Sequence, residues 1–293
     1  MNRPLAALLF ALSISIAAPL DAVAEGNVLW SVRGEHNTVY LFGSIHVLRP
    51  TDAALPRAAA EAYADAEQLV MEIDMDDPAM ADPAAMASQM QRSALLPAGQ
   101  SLRSVLGDDY AAIAERTRRE GLDLGLLDPF APWFVATMLL QLEIAHRGFD
   151  AAHGIEQQLA ERAIADRKPI VGLETPEQQF AVLGGLPLAE QKRFLLLALE
   201  ETEEDDTELE ELMAAWRTGD TAALARILSE AFAEFPELYR PLTEDRNRAW
   251  IDELESLLDD RDDYLVVVGA LHLVGRNSVL DLLQRRGHTV TRH

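Results

Sequence analysis

Two textures alternate along the chain: short runs of β-branched and aromatic residues that break off at glycine, and longer stretches whose apolar positions recur at helical spacing. Val28 to Val32 and Thr38 to Phe42 are of the first kind, with Gly34, His36 and Asn37 as turn material between them, and predict a hairpin. Pro50 and Asp52 open an expected helix through about Gln68, with Leu55, Ala59, Ala62, Tyr63 and Ala66 on one face. Leu69 to Asp74 then reads as a short buried strand. Strand, helix and strand make a crossover unit, so the two strands are expected to run parallel.

From Asp76 to Gln100 the chain is rich in Met, Ala, Asp and Pro, which predicts an irregular helical insert or a mobile lid. Val105 to Glu120 reads as a helix closed by Gly121, and a long apolar helix runs from Phe134 to about His146 after Pro129 and Pro132, which frame Trp133. Gly154-Ile155-Glu156 leads a helix to Asp166, and Pro169 to Glu174 forms the next strand. Thr175 is placed to cap the following helix, Pro176 to begin it and Gly184 to end it. Leu188 to Leu258 is helical in pattern, with turns at Trp216 to Asp220 and at Glu234 to Pro236. Asp263 to Val268 is the last core strand, Ser278 to Arg286 a helix closed by Gly287, and Thr289 to Thr291 an edge strand. The order predicts an α/β fold: a mixed, mainly parallel central sheet flanked by helices, with large helical insertions at about 76–152 and 188–258. Residues 25–293 are read as a single domain.

Composition adds a compartment. Arg3, the apolar run Leu5 to Ala18 and the small residues Ala22-Val23-Ala24 read as a signal peptide over residues 1–24, with an uncleaved anchor helix as the alternative. A periplasmic or secreted protein is expected, with no membrane span once the signal is cleaved. Cysteine is absent, so the fold is held without disulfides and thiol chemistry is excluded. The 49 Asp and Glu against 25 Lys and Arg give a net charge of −24, which argues against nucleic acid or an anionic membrane as partner and favours a cation or metal ion. Nine of the twelve residues from Glu200 to Glu211 are acidic, read as a solvated face in preference to a metal buffer.

The candidate chemistry lies in a repeated motif. Gly43-Ser44-Ile45-His46 and Gly269-Ala270-Leu271-His272 each follow an apolar strand and place an imidazole just past its end. Glu72 sits inside the end of the second strand and Glu174 at the end of the third. In open α/β sheets ligands bind outside the carboxyl ends of the strands, so the four side chains are expected to converge. Two imidazoles and two carboxylates suit Mn, Co, Zn or Fe better than Ca or Mg. An ion held there would lower the pKa of bound water to about 7 for attack on an amide or ester, with both glutamates as ligands or either one as general base instead. The plainer reading gives each histidine a structural hydrogen bond and pairs Glu72 and Glu174 with Arg246, Arg248 or Arg276. Ser44 is a weak candidate nucleophile, and His153 with Glu156 a possible second ligand pair for which capping and surface pairing are simpler. Arg246 and Asn247 on one helix are placed to offer a guanidinium and an amide to a carboxylate or carbonyl in the cleft, or else form a surface pair. No His-Glu-x-x-His, Gly-x-Ser-x-Gly, phosphate loop or Gly-x-Gly-x-x-Gly occurs.

Read together, Trp30-Ser31-Val32, Leu41 to Leu48, Val70 to Asp74, Pro132-Trp133, Gly154-Ile155-Glu156, Pro169 to Thr175, Trp216 with Gly219-Asp220, Arg246-Asn247 and Val268 to Gly275 resemble the TraB/PrgY/GumN family. The family is similar to the Tiki-type membrane proteases, whose paired Gly-x-x-His motifs are taken as a metal-dependent peptidase centre, and more distantly to erythromycin-esterase and ChaN-like proteins. By that resemblance His46 and His272 match the paired histidines, Glu72 the acidic residue of the following strand and Glu174 the Leu-Glu-Thr position. Glu156 departs from the usual Gly-Ile-Asp, which argues against a tight role there. The expectation is an exported metal-dependent hydrolase, peptidase-like, with Mn, Co or Zn held by His46, His272, Glu72 and Glu174, and with Glu72, Glu174 and Arg246 as catalytic groups. Its partner would be a peptide or small-molecule substrate. The alternatives are a non-catalytic binding protein holding a peptide or haem-like ligand in the same cleft, and a cofactor-free scaffold.

Overall fold

Six strands, most of them apolar runs, assemble into one sheet in the order β4-β3-β5-β2-β1-β6. They are β1 (Leu29–Arg33), β2 (Thr38–Ser44), β3 (Gln68–Ile73), β4 (Ile170–Glu174), β5 (Tyr264–Gly269) and β6 (Val290–Arg292). In this computed structural model the described residues are 28–77, 83–201, 207–233 and 236–293. The signal-peptide segment, the middle of the acidic run and the expected turn at Glu234 and Phe235 lie outside them.

Strands β4, β3, β5 and β2 run parallel, while β1 is antiparallel to both β2 and β6. Every residue of β5 is buried, as befits a central parallel strand covered on both faces. The hairpin of β1 and β2 forms as its turn residues predict. The crossover reading is right in direction, and β5 is intercalated between β2 and β3.

The helices follow in chain order. Helix α1 (Arg57–Asp65) links β2 to β3. The first insertion carries α2 (Pro83–Ala94), α3 (Leu102–Leu106), α4 (Tyr110–Arg119) and α5 (Pro132–His146), and α6 (Ile155–Asp166) precedes β4. After β4 come α7 (Pro176–Gly184), α8 (Leu188–Glu201), α9 (Thr207–Thr218), α10 (Thr221–Ala231), α11 (Pro236–Tyr239) and a π-helical turn, Arg240–Glu244, that runs into α12 (Asp245–Leu257). Helix α13 (Val279–Arg285) returns the chain to β6.

Two helices differ from expectation for local reasons. Pro56 disfavours helical backbone at Leu55, so Pro50–Asp52 is a lone 3-10 turn and α1 starts at Arg57. The helix expected over Val105 to Glu120 is divided at Gly107, whose φ of 61° turns the chain between α3 and α4. The Thr175 cap does form as read: its hydroxyl accepts from the Gln178 amide while Gln178 reaches back to the Thr175 amide.

Helix α5 is apolar all round and buried, with Trp133, Val135, Ala136 and Leu139 fully enclosed against α8. Trp216 of α9 and Trp250 of α12 are enclosed as well, so both helical insertions share one continuous core with the sheet. Among the described residues no helix is long and apolar enough to cross a membrane.

Candidate functional site

The parallel pairing of β2 with β5 aligns Ser44 with Gly269, which sets the two Gly-x-x-His turns side by side at the carboxyl edge of the sheet. The first turn is clamped from outside. The Trp216 indole donates to the Gly43 carbonyl at 2.7 Å, and the Ile155 amide donates to the Ile45 carbonyl at 3.0 Å. A Cβ on Gly154 would collide with the His46 carbonyl, so glycine is required for α6 to begin there.

Each imidazole is held through Nδ1. His46 Nδ1 lies 2.5 Å from Glu156 Oε1, and the same carboxylate oxygen accepts from the Ser44 hydroxyl. His272 Nδ1 lies 2.6 Å from Asn247 Oδ1. Asn247 Nδ2 donates to the Asn277 carbonyl at 2.9 Å, which identifies Oδ1 as the acceptor and places the His272 proton on Nδ1. Both rings therefore present Nε2, and both Nε2 atoms lie 3.9 Å from one atom, Glu72 Oε1. That oxygen also accepts the Gly269 amide at 2.8 Å. The space between the rings exists because residue 269 has no side chain: a Cβ there would sit 3.1 Å from His46 Nε2, 3.4 Å from Glu72 Oε1 and 3.6 Å from His272 Cδ2.

On the other side of Glu72 stands Arg246, from the first turn of α12. Its Nη2 is 2.5 Å from Glu72 Oε2 and also pairs with Glu174, while Nε lies 3.1 Å from each Glu174 oxygen. Nη1 donates to the Leu242 carbonyl at 3.2 Å and stands 3.2 Å from His272 Nε2. Gln179 of α7 donates to Glu174 at 2.8 Å and to Glu72 Oε2 at 3.3 Å. The Trp250 ring packs against both His272 and Arg246.

These contacts move the titrations apart. Burial works against the Glu72 carboxylate, but Arg246, both imidazoles and the Gly269 amide outweigh it and hold the group down at about 2. Burial pushes His272 down to about 3, with Arg246 and His46 adding to it and Glu72 opposing, so this ring is neutral. Burial also opposes charge on His46, yet Glu156 and Glu72 raise it above its ordinary value. Burial, aided by the neighbouring Glu72 charge, raises the Glu174 carboxyl against the pull of Arg246 and Gln179. Arg246 stays firmly protonated between its two carboxylates despite burial.

The structure thus brings His46, His272 and Glu72 together and places Glu174 across the Arg246 guanidinium from them. Of the three arginines considered as partners, Arg246 pairs with both glutamates and Arg248 with Glu244 and Asp245. Ser44 is fully buried and bonded to Glu156, which rules out an exposed nucleophile. Glu156 pairs with His46 and not with His153, and it has the tight role that its length argued against. The sequence placed Glu156 in the first turn of a helix but not beside His46, which is 110 residues away. Arg246 and Asn247 are buried, which excludes the surface pair. Gln179 carried no signal in the sequence. A separate trio, Glu120, Glu143 and His146, has donor atoms all within 4.8 Å where α4 ends beside α5. It is the only such group among the described residues, the donors of His46, Glu72 and His272 being more widely spread, and Glu143 there is ion-paired with Arg147 at 2.7 Å.

The sequence profile of the TraB/PrgY/gumN family matches residues 28–292. The uncharacterized protein YbaP of Escherichia coli strain K12 is 27% identical over 282 residues, covering 90% of this chain and 100% of its own. Metalloprotease TIKI2 of Xenopus tropicalis is 24% identical over 324 residues, covering 89% of this chain and 59% of its own. Metalloprotease TIKI1 of Homo sapiens is 24% identical, with 89% and 61% covered. The chain thus spans about three-fifths of the Tiki proteins it matches. No solved structure matches significantly.

Proposed function

The chain belongs to the TraB/PrgY/gumN family, and from that premise we propose that it is an exported metal-dependent hydrolase acting on a peptide or amide bond. The observation that carries this reading is that the Nε2 atoms of both rings lie 3.9 Å from one Glu72 oxygen, each ring having its Nδ1 held elsewhere. Carboxylate and amide partners on the far nitrogen are the usual supports of metal-bound imidazoles. The donor chemistry fits a divalent transition ion such as Mn, Co or Zn. Two carboxylates, Glu72 and Glu174, share the single Arg246 guanidinium, while Glu156 pairs with His46 Nδ1 and, with Glu72, favours positive charge on that ring. An ion held by His46, His272 and Glu72 would supply Lewis acidity and a water of pKa about 7.

The remaining roles belong to the chain itself. Glu156 and Asn247 fix the two rings, and the Gly269 amide with Arg246 fixes Glu72. Glu174, raised by burial, is assigned as proton acceptor because a carboxyl moved toward neutrality is a better general base. Arg246 Nη1, beside His272 Nε2, is placed to take up negative charge developing on a carbonyl oxygen. Export rests on reading residues 1–24 as a signal peptide, and the mature chain is taken as one unit.

A second reading, a non-catalytic binding protein, is favoured by one observation: Arg246 already pairs with both Glu72 and Glu174, so each of these carboxylates has a cationic partner without an ion. A peptide panel incubated with the mature protein loaded with Mn, Co or Zn decides between them. Turnover abolished in both His46→Ala and His272→Ala is the expected result. Undiminished turnover in the two variants, or saturable binding with no turnover under any metal, would rule the hydrolase out.

A further inference from the structure

A groove of about 590 Å³ lies beside the second Gly-x-x-His turn, lined in part by Trp30, Arg276, Asp281, Arg285, Val290 and Arg292. Its volume falls in the roughly 300–1,000 Å³ range of ligand sites. Topology puts it on the same edge of the sheet as the paired histidines. Strand β1 is antiparallel to β2, so Leu29 and Trp30 at its start face Phe42 and Leu41 at the end of β2, and Arg292 pairs with Trp30 in turn. The groove wall also includes Leu273 and Val274, the residues that directly follow His272.

Its charge runs against that of the chain. Where acidic residues outnumber basic ones 49 to 25 overall, these walls carry three arginines and one aspartate. Two of the arginines are fixed: Arg285 pairs with Asp281 at 2.6 Å, and Arg292 donates to the Gly219 carbonyl while lying over the Trp30 ring. Arg276 differs from both. It is exposed, and no carboxylate among the described residues pairs with it. Positive φ angles at Gly275 (77°) and Asn277 (58°) flank it on either side. A cation with no carboxylate partner among the described residues, in the lining of a groove on an otherwise anionic molecule, attracts negative ligands there.

A chain of hydrogen bonds joins this groove to the histidine centre. Arg285 donates to Asn277 Oδ1 at 3.1 Å, the Asn277 carbonyl accepts from Asn247 Nδ2 at 2.9 Å, and Asn247 Oδ1 holds His272 Nδ1 at 2.6 Å. Arg285 of the groove wall and the orientation of His272 are thus tied to the same two asparagines.

We propose that the groove is a subsite for a carboxylate-bearing segment of the peptide substrate, with Arg276 as the residue that selects it. The proposal deepens the hydrolase reading and rests on it for the identity of the ligand as a peptide. A carboxylate on a bound peptide can come from an acidic side chain or from the free C-terminus, and the test separates the two.

Fluorescence anisotropy on the mature chain, without added metal, would compare three labelled hexapeptides: an amide-capped peptide with two glutamates, its glutamine twin, and the glutamine peptide with a free C-terminus. One of the two carboxylate-bearing peptides is expected to bind about tenfold more tightly than the capped glutamine peptide, the scale of one charge-assisted hydrogen bond. Arg276→Glu and Arg276→Gln should each remove that preference. Equal affinity for all three peptides, binding of none, or a preference that survives both substitutions would overturn the proposal. Because the readout needs no turnover, the two ideas fail separately: Arg276-dependent binding with no cleavage under Mn, Co or Zn loading defeats the hydrolase reading alone. Cleavage indifferent to peptide charge and to Arg276 defeats the subsite alone.

Discussion

Replacing Gly269 by alanine tests the centre with a single methyl group. Gly269 has φ −50° and ψ 135°, a conformation open to any L-residue, and its backbone N–H, which an alanine keeps, donates the hydrogen bond to Glu72 Oε1. The backbone therefore accepts alanine, with about 0.4–1 kcal/mol gained from a stiffer unfolded chain. Against this, the new Cβ would lie 3.1 Å from His46 Nε2 and 3.4 Å from Glu72 Oε1. Crowding of this kind costs about 1–3 kcal/mol in a packed interior. The net loss is of the order of 1–2 kcal/mol, a fall in Tm of a few degrees for a chain of this size. Metal affinity should suffer far more, because the methyl stands between the very atoms that would share the ion. A loss of about 100-fold or more is expected, beyond the 10–100-fold typical of a lost outer-sphere partner. Equilibrium dialysis with Mn, Co and Zn, followed by elemental analysis, gives the affinity, while far-UV circular dichroism and a denaturation midpoint verify the fold. A folded Gly269→Ala protein that binds metal as the wild type does would refute the placement of the ion between the two Nε2 atoms.

Glu156→Gln keeps an oxygen near His46 but removes the charge that raises its pKa, so metal affinity should fall about 10–100-fold, read by the same dialysis; unchanged affinity would deny Glu156 its positioning role. Arg246→Met strands two buried carboxylates and should cost about 3–5 kcal/mol in urea denaturation. Arg246→Lys should recover only part of this, since an ammonium lacks the fork that spans Glu72 and Glu174; full recovery would contradict the bidentate geometry. The pH dependence has a defined sign: His272 sits at about 3 in the folded chain against its ordinary 6.5, so between those values the unfolded chain binds the extra proton and stability falls as pH is lowered. In chelator His272 alone contributes about 2 kcal/mol of loss between pH 7 and pH 5. The raised His46, which holds its proton better in the folded chain, opposes it, and Glu72, held at about 2, adds to the loss below its ordinary 4.5. His272→Asn should flatten the curve between pH 7 and pH 5, and an unaltered slope would contradict the burial of a neutral ring.

What the sequence disclosed depended on how local the cause was. Unbroken apolar runs sufficed for β2 and β5, and the repeated Gly-x-x-His spacing marked both motif turns, because strand burial and motif spacing are properties of neighbouring residues. The Thr175 and Pro176 helix start was legible for the same reason. Proline at position 56 and glycine at 107 were equally local signals, yet helical periodicity across them carried the expectation further than the backbone allows. The insertion of β5 between β2 and β3 was not legible, since nothing within any of the three strands records its neighbour. At the centre, the two histidines, Glu72, Glu174 and Arg246 were named, as was the salt bridge that Arg246 supplies. The roles of Glu156 and Gln179 were hidden because their partners are distant in sequence and reach them only through the packing of α6 and α7 onto the sheet edge.

The central claim, that His46 and His272 hold a metal ion, is tested most directly by the metal content of the mature protein. Wild type, His46→Ala and His272→Ala would be incubated with Mn, Co and Zn, freed of unbound ion by gel filtration and measured by elemental analysis. A stoichiometric ion in the wild type that is lost in each variant is the predicted result. A metal-free wild type, or equal metal in all three proteins, would contradict the account.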